Sequence, residues 1–244
     1  MTMMMPGVTK SNTELNLRTK YYPQGDANCQ LYLPLYDWDL RDSPFDSKDK
    51  NATVCTVTGA LWQPHSPGYY FDGGDDLIDL GDPAALRLTT NITIIAWVKR
   101  AAVGAVQEIC GNRRNSATTG GYHLFFYSDN KIYFQGNGNS GANTAFNFST
   151  TNTYTSTSKF YHIFAYFDSA VGAYLVIDGV ADGSDVTVAA VNGQGNNFFV
   201  GVDSNDGTTG NMNGIIGEVI VYNATKSVAF GEEHRLATKW RYGL

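Results

Sequence analysis

Apolar and polar residues alternate with a period of two along much of this chain, a pattern typical of β-strands. The clearest case is residues 92–98, where every even-numbered position is apolar and would share one face of an extended strand. The odd-numbered positions on the other face include Ile95 and Trp97. Because both faces carry apolar side chains, we predict a central strand that is covered on both sides.

Turn-forming pairs separate the other alternating segments. Asp178-Gly179 lies between two of them and is typical of a two-residue hairpin turn, and Asp129-Asn130 separates a second pair. Only residues 232–240 have helical spacing, which predicts a short C-terminal helix. We find no fixed internal repeat and no interdomain linker. The pattern therefore predicts an all-β sandwich of antiparallel strands.

The first 24 residues show neither period, so we treat residues 1–24 as an N-terminal arm and residues 25–244 as the β-sandwich domain. An arm without a pattern of its own gains order most readily by packing against its own domain or a neighbouring subunit. Methionine suits an irregular apolar groove because its side chain is unbranched. The apolar residues expected to make this attachment are Met3, Met4, Met5, Leu15 and Leu17.

Charge and length exclude several functions. The 244 residues suffice for one large all-β domain, and a net charge of −6 without a basic run argues against nucleic acid as a partner. No apolar run approaches the roughly 20 residues that span a bilayer, so no membrane insertion is expected. The N-terminus lacks the basic and apolar regions of a secretory signal peptide.

The three cysteines, Cys29, Cys55 and Cys110, cannot all pair with one another. We predict buried free thiols, as in a protein made in a reducing compartment. The alternative is a single disulfide formed by one of the three possible pairs.

Catalysis is not expected. Glu218 lies on an apolar strand where no second carboxylate alternates with it, and the histidines accompany no Ser or Cys nucleophile motif. Sugar hydrolysis needs two carboxylates about 5–10 Å apart in an open cleft, and we predict that none are so placed.

A sugar-binding site requires aromatic rings with amide or carboxylate groups around them. The candidate ligand-binding residues are Trp62, Tyr122, Tyr154, Asn211 and Asn213. Packing in the core is the alternative role for the three rings. The loop at residues 202–213 also carries candidate calcium ligands, although it is not an EF-hand, and a loop without a ligand is the alternative. These candidate ligands are Asp203, Asn205 and Asp206.

Two adjacent motifs resemble the laminin-G-like branch of the concanavalin A-like jelly-roll family. They are FDGGDDLIDLG at residues 71–81 and NITIIAWVKR at residues 91–100. Residues 159–185 and 197–222 follow the pattern of that family in the same order, and the ending HRLATKWRYGL resembles that of many such domains in phage and bacterial proteins. The resemblance covers roughly residues 31–244 and implies a two-sheet antiparallel jelly roll.

One departure from the family affects a site. Gly217 stands where the family has an Asp before Glu218, so no metal ligand is expected there.

The predicted fold has a core between its two sheets. We expect one face of four strands to supply this core, the alternative being the residues on the opposite face of the same strands. The residues expected there are Ile94, Ala96, Val98, Ile163, Ala165, Leu175, Ile177, Val219 and Val221.

The resemblance and the arm together favour a non-catalytic structural or binding protein on the surface of a phage or virus particle. In this role the domain would decorate a capsid or tail and adhere to a surface or a glycan. Its partners would be further copies of itself, other virion proteins or host surface glycans. The alternative is a carbohydrate-binding lectin module, secreted or on the bacterial cell surface. Calcium is the only candidate cofactor, and whether the protein binds it stays an open question at this point.

Overall fold

The computed structural model describes residues 23–113, 120–138, 144–193, 195–203 and 207–244. These residues form sixteen β-strands in two sheets of eight, together with one α-helix. Most of the predicted arm, residues 1–22, lies outside the described residues.

The strands are short, and most follow one another through tight turns. In chain order they are β1 (Cys29–Leu33), β2 (Phe45–Asp46), β3 (Val54–Thr58), β4 (Leu61–Gln63), β5 (Gly68–Asp72), β6 (Leu77–Asp79), β7 (Asn91–Arg100), β8 (Gln107–Gly111), β9 (Gly121–Phe126), β10 (Ile132–Asn137), β11 (Thr144–Ser149), β12 (Tyr161–Asp168), β13 (Gly172–Ile177), β14 (Val180–Asp185), β15 (Phe199–Val200) and β16 (Asn213–Tyr222). Short 3₁₀ turns span Pro23–Gly25, Trp38–Leu40, Ala84–Leu86 and Lys239–Tyr242.

Both sheets are antiparallel, as the sequence predicts. Sheet one has the order β14-β13-β12-β7-β16-β5-β4, and β1 also pairs with β16. Sheet two has the order β11-β10-β9-β8-β15-β6-β3-β2. The predicted turn at Asp178-Gly179 has positive φ angles of 53° and 85°, the conformation that a type I′ hairpin turn requires.

Strand β7 lies near the middle of sheet one, between β12 and β16. Its even-numbered residues face sheet two, whereas Ile95 and Trp97 face the opposite side and are also fully buried. The prediction of a central strand covered on both faces is therefore confirmed. All nine residues predicted for the core belong to the cluster between the sheets: Ile94, Ala96, Val98, Ile163, Ala165, Leu175, Ile177, Val219 and Val221.

The outer face of sheet one is covered by the C-terminal segment, helix α1 (Val228–Thr238) and the turn that follows it. The helix begins at Ser227, whose hydroxyl accepts a hydrogen bond from the amide of Phe230. The indole N–H of Trp97 donates to the hydroxyl of Thr238 at 2.9 Å. Tyr242 stacks on Trp97 with ring centroids 4.5 Å apart. This covering layer is why β7 can carry apolar residues on both faces.

A buried polar chain fixes the helix to the sheet. His162 Nε2 lies 3.1 Å from His234 Nδ1, and His234 Nε2 lies 3.3 Å from Glu218 Oε2. Arg241 is 3.7 Å from the other oxygen of Glu218. Burial holds the pKa of His162 well below its usual range, so its ring is neutral. The hydrogen bond between His162 and His234 joins strand β12 to helix α1, whereas His234 Nε2 and Glu218 Oε2 form no hydrogen bond with a described residue.

The cysteines agree with the prediction. Cys29, Cys55 and Cys110 are all free and buried.

Gly231 on helix α1 provides a test of this packing. A Cβ atom at that position would lie 2.7 Å from two ring atoms of Phe164, so Gly231→Ala must displace the helix or the ring. We expect the free energy of unfolding to fall by about 1–3 kcal/mol, the usual cost of overpacking. Chemical denaturation followed by tryptophan fluorescence measures it.

The control is Gly25→Ala, because a Cβ atom at Gly25 meets nothing within 4 Å. It should change the free energy of unfolding by less than about 0.5 kcal/mol. Equal effects of the two substitutions would show that α1 is not packed closely against Phe164.

Candidate functional site

The candidate site lies on the outer face of sheet two, where β8, β9 and β10 run side by side. Because side chains alternate along a strand, Leu124 and its neighbours two residues away point into the core, and His123 and Phe125 point outward. On β10, Gln135 lies directly opposite His123, and Tyr133 lies opposite Phe125. The hairpin register therefore assembles four outward-facing side chains into one patch.

Strand β8 adds a carboxyl group to this patch. A bulge between Glu108 and Cys110 interrupts its pairing with β9 and leaves the side chain of Glu108 on the outer face. Gly111 lies opposite His123, and a Cβ atom at Gly111 would come within 2.3 Å of the Cβ of His123. The absence of a side chain at residue 111 therefore makes room for the imidazole.

Glu108, His123, Phe125 and Gln135 line a cavity of about 430 Å³, and Tyr133 lies beside it against the ring of Phe125. A row of stacked rings runs along it: His123 on Phe125 at 4.2 Å, and Phe125 on Tyr133 at 5.4 Å between centroids. Tyr127 continues the row 5.3 Å from Tyr133 and is 43% exposed. The cavity thus joins an apolar, ring-lined wall to a polar floor.

The floor holds a neutral hydrogen-bonded chain. The two carboxyl oxygens of Glu108 lie 2.9 and 3.1 Å from His123 Nδ1, and His123 Nε2 lies 3.2 Å from Gln135 Oε1. Burial raises the pKa of Glu108 well above its usual range and lowers the pKa of His123 to about 3. The pair therefore retains one proton at neutral pH: Glu108 donates to Nδ1, and the Nε2–H of His123 donates to Gln135.

Asp203 and Arg113 complete the polar part of the cavity. Burial lowers the pKa of the Arg113 guanidinium, and the charge of Asp203 opposes that shift. One ligand atom each from Glu108, His123 and Asp203 lies within 4.8 Å of the others. Calcium prefers oxygen ligands only, whereas this set contains a neutral imidazole and a protonated carboxyl group. The three groups therefore do not fit calcium.

The predicted calcium ligands are only partly described. Asp203 lies at this cavity, and Asn205 and Asp206 lie outside the described residues. A calcium site formed by the loop at residues 202–213 stays a prediction.

The ring residues predicted from sequence do not come together. Tyr122 is fully buried, and its hydroxyl donates to the carbonyl of Leu86 at 3.1 Å, so its ring belongs to the core. Trp62 lies on β4, where its indole N–H donates to a backbone carbonyl at 3.0 Å. Tyr154 donates to Asp182 at 2.5 Å. A ligand role for Trp62 and Tyr154 stays a prediction.

The predicted asparagines stabilise a turn. Asn211 donates to the carbonyl of Gly74, and Asn213 donates to the carbonyl of Asp72 at 3.1 Å. Both carbonyls belong to the turn after β5, where the carboxylates of Asp72, Asp75 and Asp76 also cluster. Asp72 and Asp76 already accept hydrogen bonds from backbone amides of this turn. These contacts explain the asparagines as loop anchors, and their ligand role is untested.

Of the residues that line the cavity, the sequence identified only Asp203 as a candidate ligand. The detectable signal was the alternation in β9 and β10, where His123 and Phe125 face Gln135 and Tyr133 across a turn at Asp129-Asn130. The bulge that adds Glu108 has no comparable signal in the sequence.

The family model described as concanavalin A-like lectin/glucanases superfamily matches residues 72–229. The chain belongs to this superfamily. No curated protein matches it significantly.

Solved structures with the same fold share little sequence with this chain. Domain 4 of AbnA, a GH43 extracellular arabinanase from Geobacillus stearothermophilus in complex with arabinotriose, has a TM-score of 0.63 at 17% identity, covering 86% of this chain and 98% of the other. The binding domain of Paraclostridial Mosquitocidal Protein 1 has a TM-score of 0.66 at 14% identity, covering 92% and 53%. Trypanosoma rangeli sialidase has a TM-score of 0.60 at 11% identity, covering 88% and 33%. At these identities the similarity establishes the fold alone.

Within the described ranges, no helix is both long and apolar enough to span a membrane.

The proton held by Glu108 and His123 predicts how stability depends on pH. Above pH 6.5 or so the unfolded pair holds no proton and the folded pair holds one, so stability falls as pH rises, by up to about 1.4 kcal/mol per pH unit. Between roughly pH 4.5 and 6.5 both states hold one proton, so the pair contributes no slope. Glu108→Gln removes the titrating proton and keeps a donor for His123 Nδ1. We therefore expect urea denaturation to show a shallower decline for Glu108→Gln between about pH 6.5 and 8.

Asp203→Asn is the matched control, because it also removes a carboxylate from the cavity but keeps Glu108 and His123, whose burial is the largest cause of the retained proton. It should retain the decline of the native protein. An unchanged slope in Glu108→Gln would mean that Glu108 is ionised in the folded state.

Proposed function

We propose that this domain binds a carbohydrate chain on the outer face of sheet two, along the row of rings that leads into the cavity. The observation that carries the proposal is this juxtaposition of ring-lined wall and polar floor. Sugars present apolar C–H faces and a rim of hydroxyl groups, so they need both kinds of surface within a few ångströms.

The ring row supplies the apolar contact. Phe125 and Tyr133 are stacked, and Tyr127 extends the row toward solvent. A wall fixed by mutual stacking needs little ordering when a ligand binds, which preserves affinity.

The cavity supplies hydrogen bonds of both kinds. The carboxylate of Asp203 accepts from hydroxyl groups, and the guanidinium of Arg113 donates to them. The chain from Glu108 through His123 fixes the amide of Gln135, because His123 Nε2–H donates to its oxygen. The amide nitrogen of Gln135 is thereby directed to donate elsewhere. This donor and acceptor set suits an uncharged sugar with neighbouring hydroxyl groups.

Binding without cleavage is part of the proposal. Glu108 is only 1% exposed, and both of its oxygens lie within hydrogen-bond distance of His123. A general acid must reach the leaving oxygen of the substrate, and Glu108 is enclosed below the cavity floor. Among the residues that the structure describes, Asp203 therefore lacks an accessible carboxyl partner for hydrolysis.

Tyr133→Ala tests the binding surface. Removing this half-buried ring, which lies between those of Phe125 and Tyr127, should weaken binding about tenfold, equivalent to about 1.4 kcal/mol of lost apolar contact. A glycan array that includes arabinotriose and α2,3-sialyllactose identifies the ligand, and calorimetry on the best binder measures Kd. The bound sugar should be recovered intact.

Tyr174→Ala is the control, because Tyr174 is also a half-buried tyrosine stacked on another ring, but it lies on sheet one. Binding should survive this substitution. If the two variants lose affinity equally, or if the native protein binds no glycan on the array, the site is not on sheet two.

Where the domain works is a second part of the proposal. We infer that it decorates a phage or virus particle, with residues 1–24 as the attachment arm and the remainder as the displayed domain. Support comes from the sequence: the arm has no strand or helix pattern, and the C-terminal ending resembles that of phage-associated jelly rolls. A module secreted by a bacterium or displayed on its surface is the competing role.

Deletion of residues 2–20 distinguishes these roles. The strands of both sheets supply the described core, so thermal unfolding should stay within a few degrees of the native transition. Assembly or particle attachment, measured by light scattering and sedimentation with particles, should be lost. Unfolding of the truncated protein would make the arm a strand of the sandwich. Normal assembly would favour the free lectin.

A further inference from the structure

A second cavity, of about 330 Å³, lies on sheet one at the ends of three adjacent strands. It is lined by Tyr70 from β5, Lys99 and Arg100 from β7, and Ile215 from β16, with Thr157 from a neighbouring loop. Tyr70 and Ile215 belong to the ring cluster around Trp97 on the outer face of sheet one. This cavity is therefore separate from the one on sheet two.

Two cations without a carboxylate partner define the cavity. Lys99 is half-buried, and no ion pair joins it to another described residue. Arg100 is fully buried, and its hydrogen bonds go only to uncharged oxygens, the nearest being those of Asn130 and Tyr154 at 3.1 Å. No Asp or Glu lies in the lining.

The guanidinium of Arg100 is incompletely satisfied. Its Nη2 is buried and has no hydrogen-bond partner among the described residues. Its Cζ lies 4.5 Å from the ring centroid of Phe126, which offsets part of the cost of burial. A buried charge without an opposite charge is expensive, and its field is concentrated where low-dielectric walls open to solvent.

The positive charge of this cavity is opposite in sign to the net charge of the chain. The chain carries a net charge of −6, yet Lys99 and Arg100 stand together without a carboxylate. Adjacent strand residues point to opposite faces, so the two cations flank the end of β7 from both sides. A ligand in the cavity would meet positive potential together with the apolar surface of Tyr70 and Ile215.

We propose that this cavity binds an acidic sugar, with its carboxylate or sulfate group at Lys99 and its ring against Tyr70. A lysine ammonium is a point charge that accepts an anion from several directions, which suits either group. Arg100 acts through its field, since its side chain is enclosed. A free inorganic anion shares the same charge chemistry but gains nothing from Tyr70.

Calorimetric titration with sodium glucuronate, sodium sulfate and glucose tests the proposal. The native protein should bind glucuronate more tightly than either of the others. Lys99→Met should weaken glucuronate binding at least tenfold, and Lys99→Arg should retain it within about threefold because the charge remains. Arg100 is left unchanged, since it anchors two loops.

Lys131→Met is the matched control: Lys131 is also half-buried, has no ion pair with a described residue, and its loss changes the net charge equally. It should bind glucuronate as the native protein does. Equal losses in the two methionine variants, or no glucuronate binding by the native protein, would overturn the site. Sulfate binding as tight as glucuronate binding would overturn the assignment to a sugar. Tyr133→Ala should leave glucuronate binding intact, which separates this test from that of sheet two.

Discussion

The structure depends on the burial of sheet one from both sides. Strands β7, β12 and β16 direct one set of apolar side chains toward sheet two and a second set toward helix α1 and the turn after it. Sheet one needs both sheet two and the C-terminal segment, because loss of either would expose one of its two apolar faces to water. The C-terminal segment is therefore a third layer of the sandwich, fixed by the hydrogen bond of Trp97 with Thr238 and by the buried hydrogen bond between His162 and His234.

The outer faces of the two sheets therefore have different roles. Sheet one uses its outer face for stability, so that face offers ligands little more than the ends of its strands, where the Lys99 cavity lies. Among the described residues, no such layer covers β8 to β10 of sheet two, and its outward side chains can be polar or aromatic without loss of core packing. Because Glu108 and His123 retain a proton, both groups are neutral beneath this surface. Their burial therefore avoids the desolvation free energy that two buried charges would cost.

Much of the fold could be predicted because strand burial has a local signature. Ile94 and Ala96 alternate with Ile95 and Trp97, which identifies β7 as a strand with two apolar faces. The pair Asp178-Gly179 likewise specifies the turn between β13 and β14. The cavity on sheet two could not be predicted in this way. It depends on which strands are neighbours, on a bulge that turns Glu108 outward, and on Gly111 leaving space for His123. Tyr122 and His123 are adjacent in sequence yet face opposite ways, so only the register assigns one to the core and the other to the site.

Strand β16 has a consequence for synthesis of the protein. It is the last strand of the domain to leave the ribosome, yet it lies inside sheet one, with β7 on one edge and both β1 and β5 on the other. Until it arrives, these three strands have unpaired backbone groups and the sheet is in three pieces, which are β14-β13-β12-β7, β5-β4 and β1 alone. The nascent chain must hold those edges apart for most of translation, the period in which exposed strands associate with other chains. Completion of the domain is thus a single late event, in which one strand joins segments from the beginning and the middle of the chain.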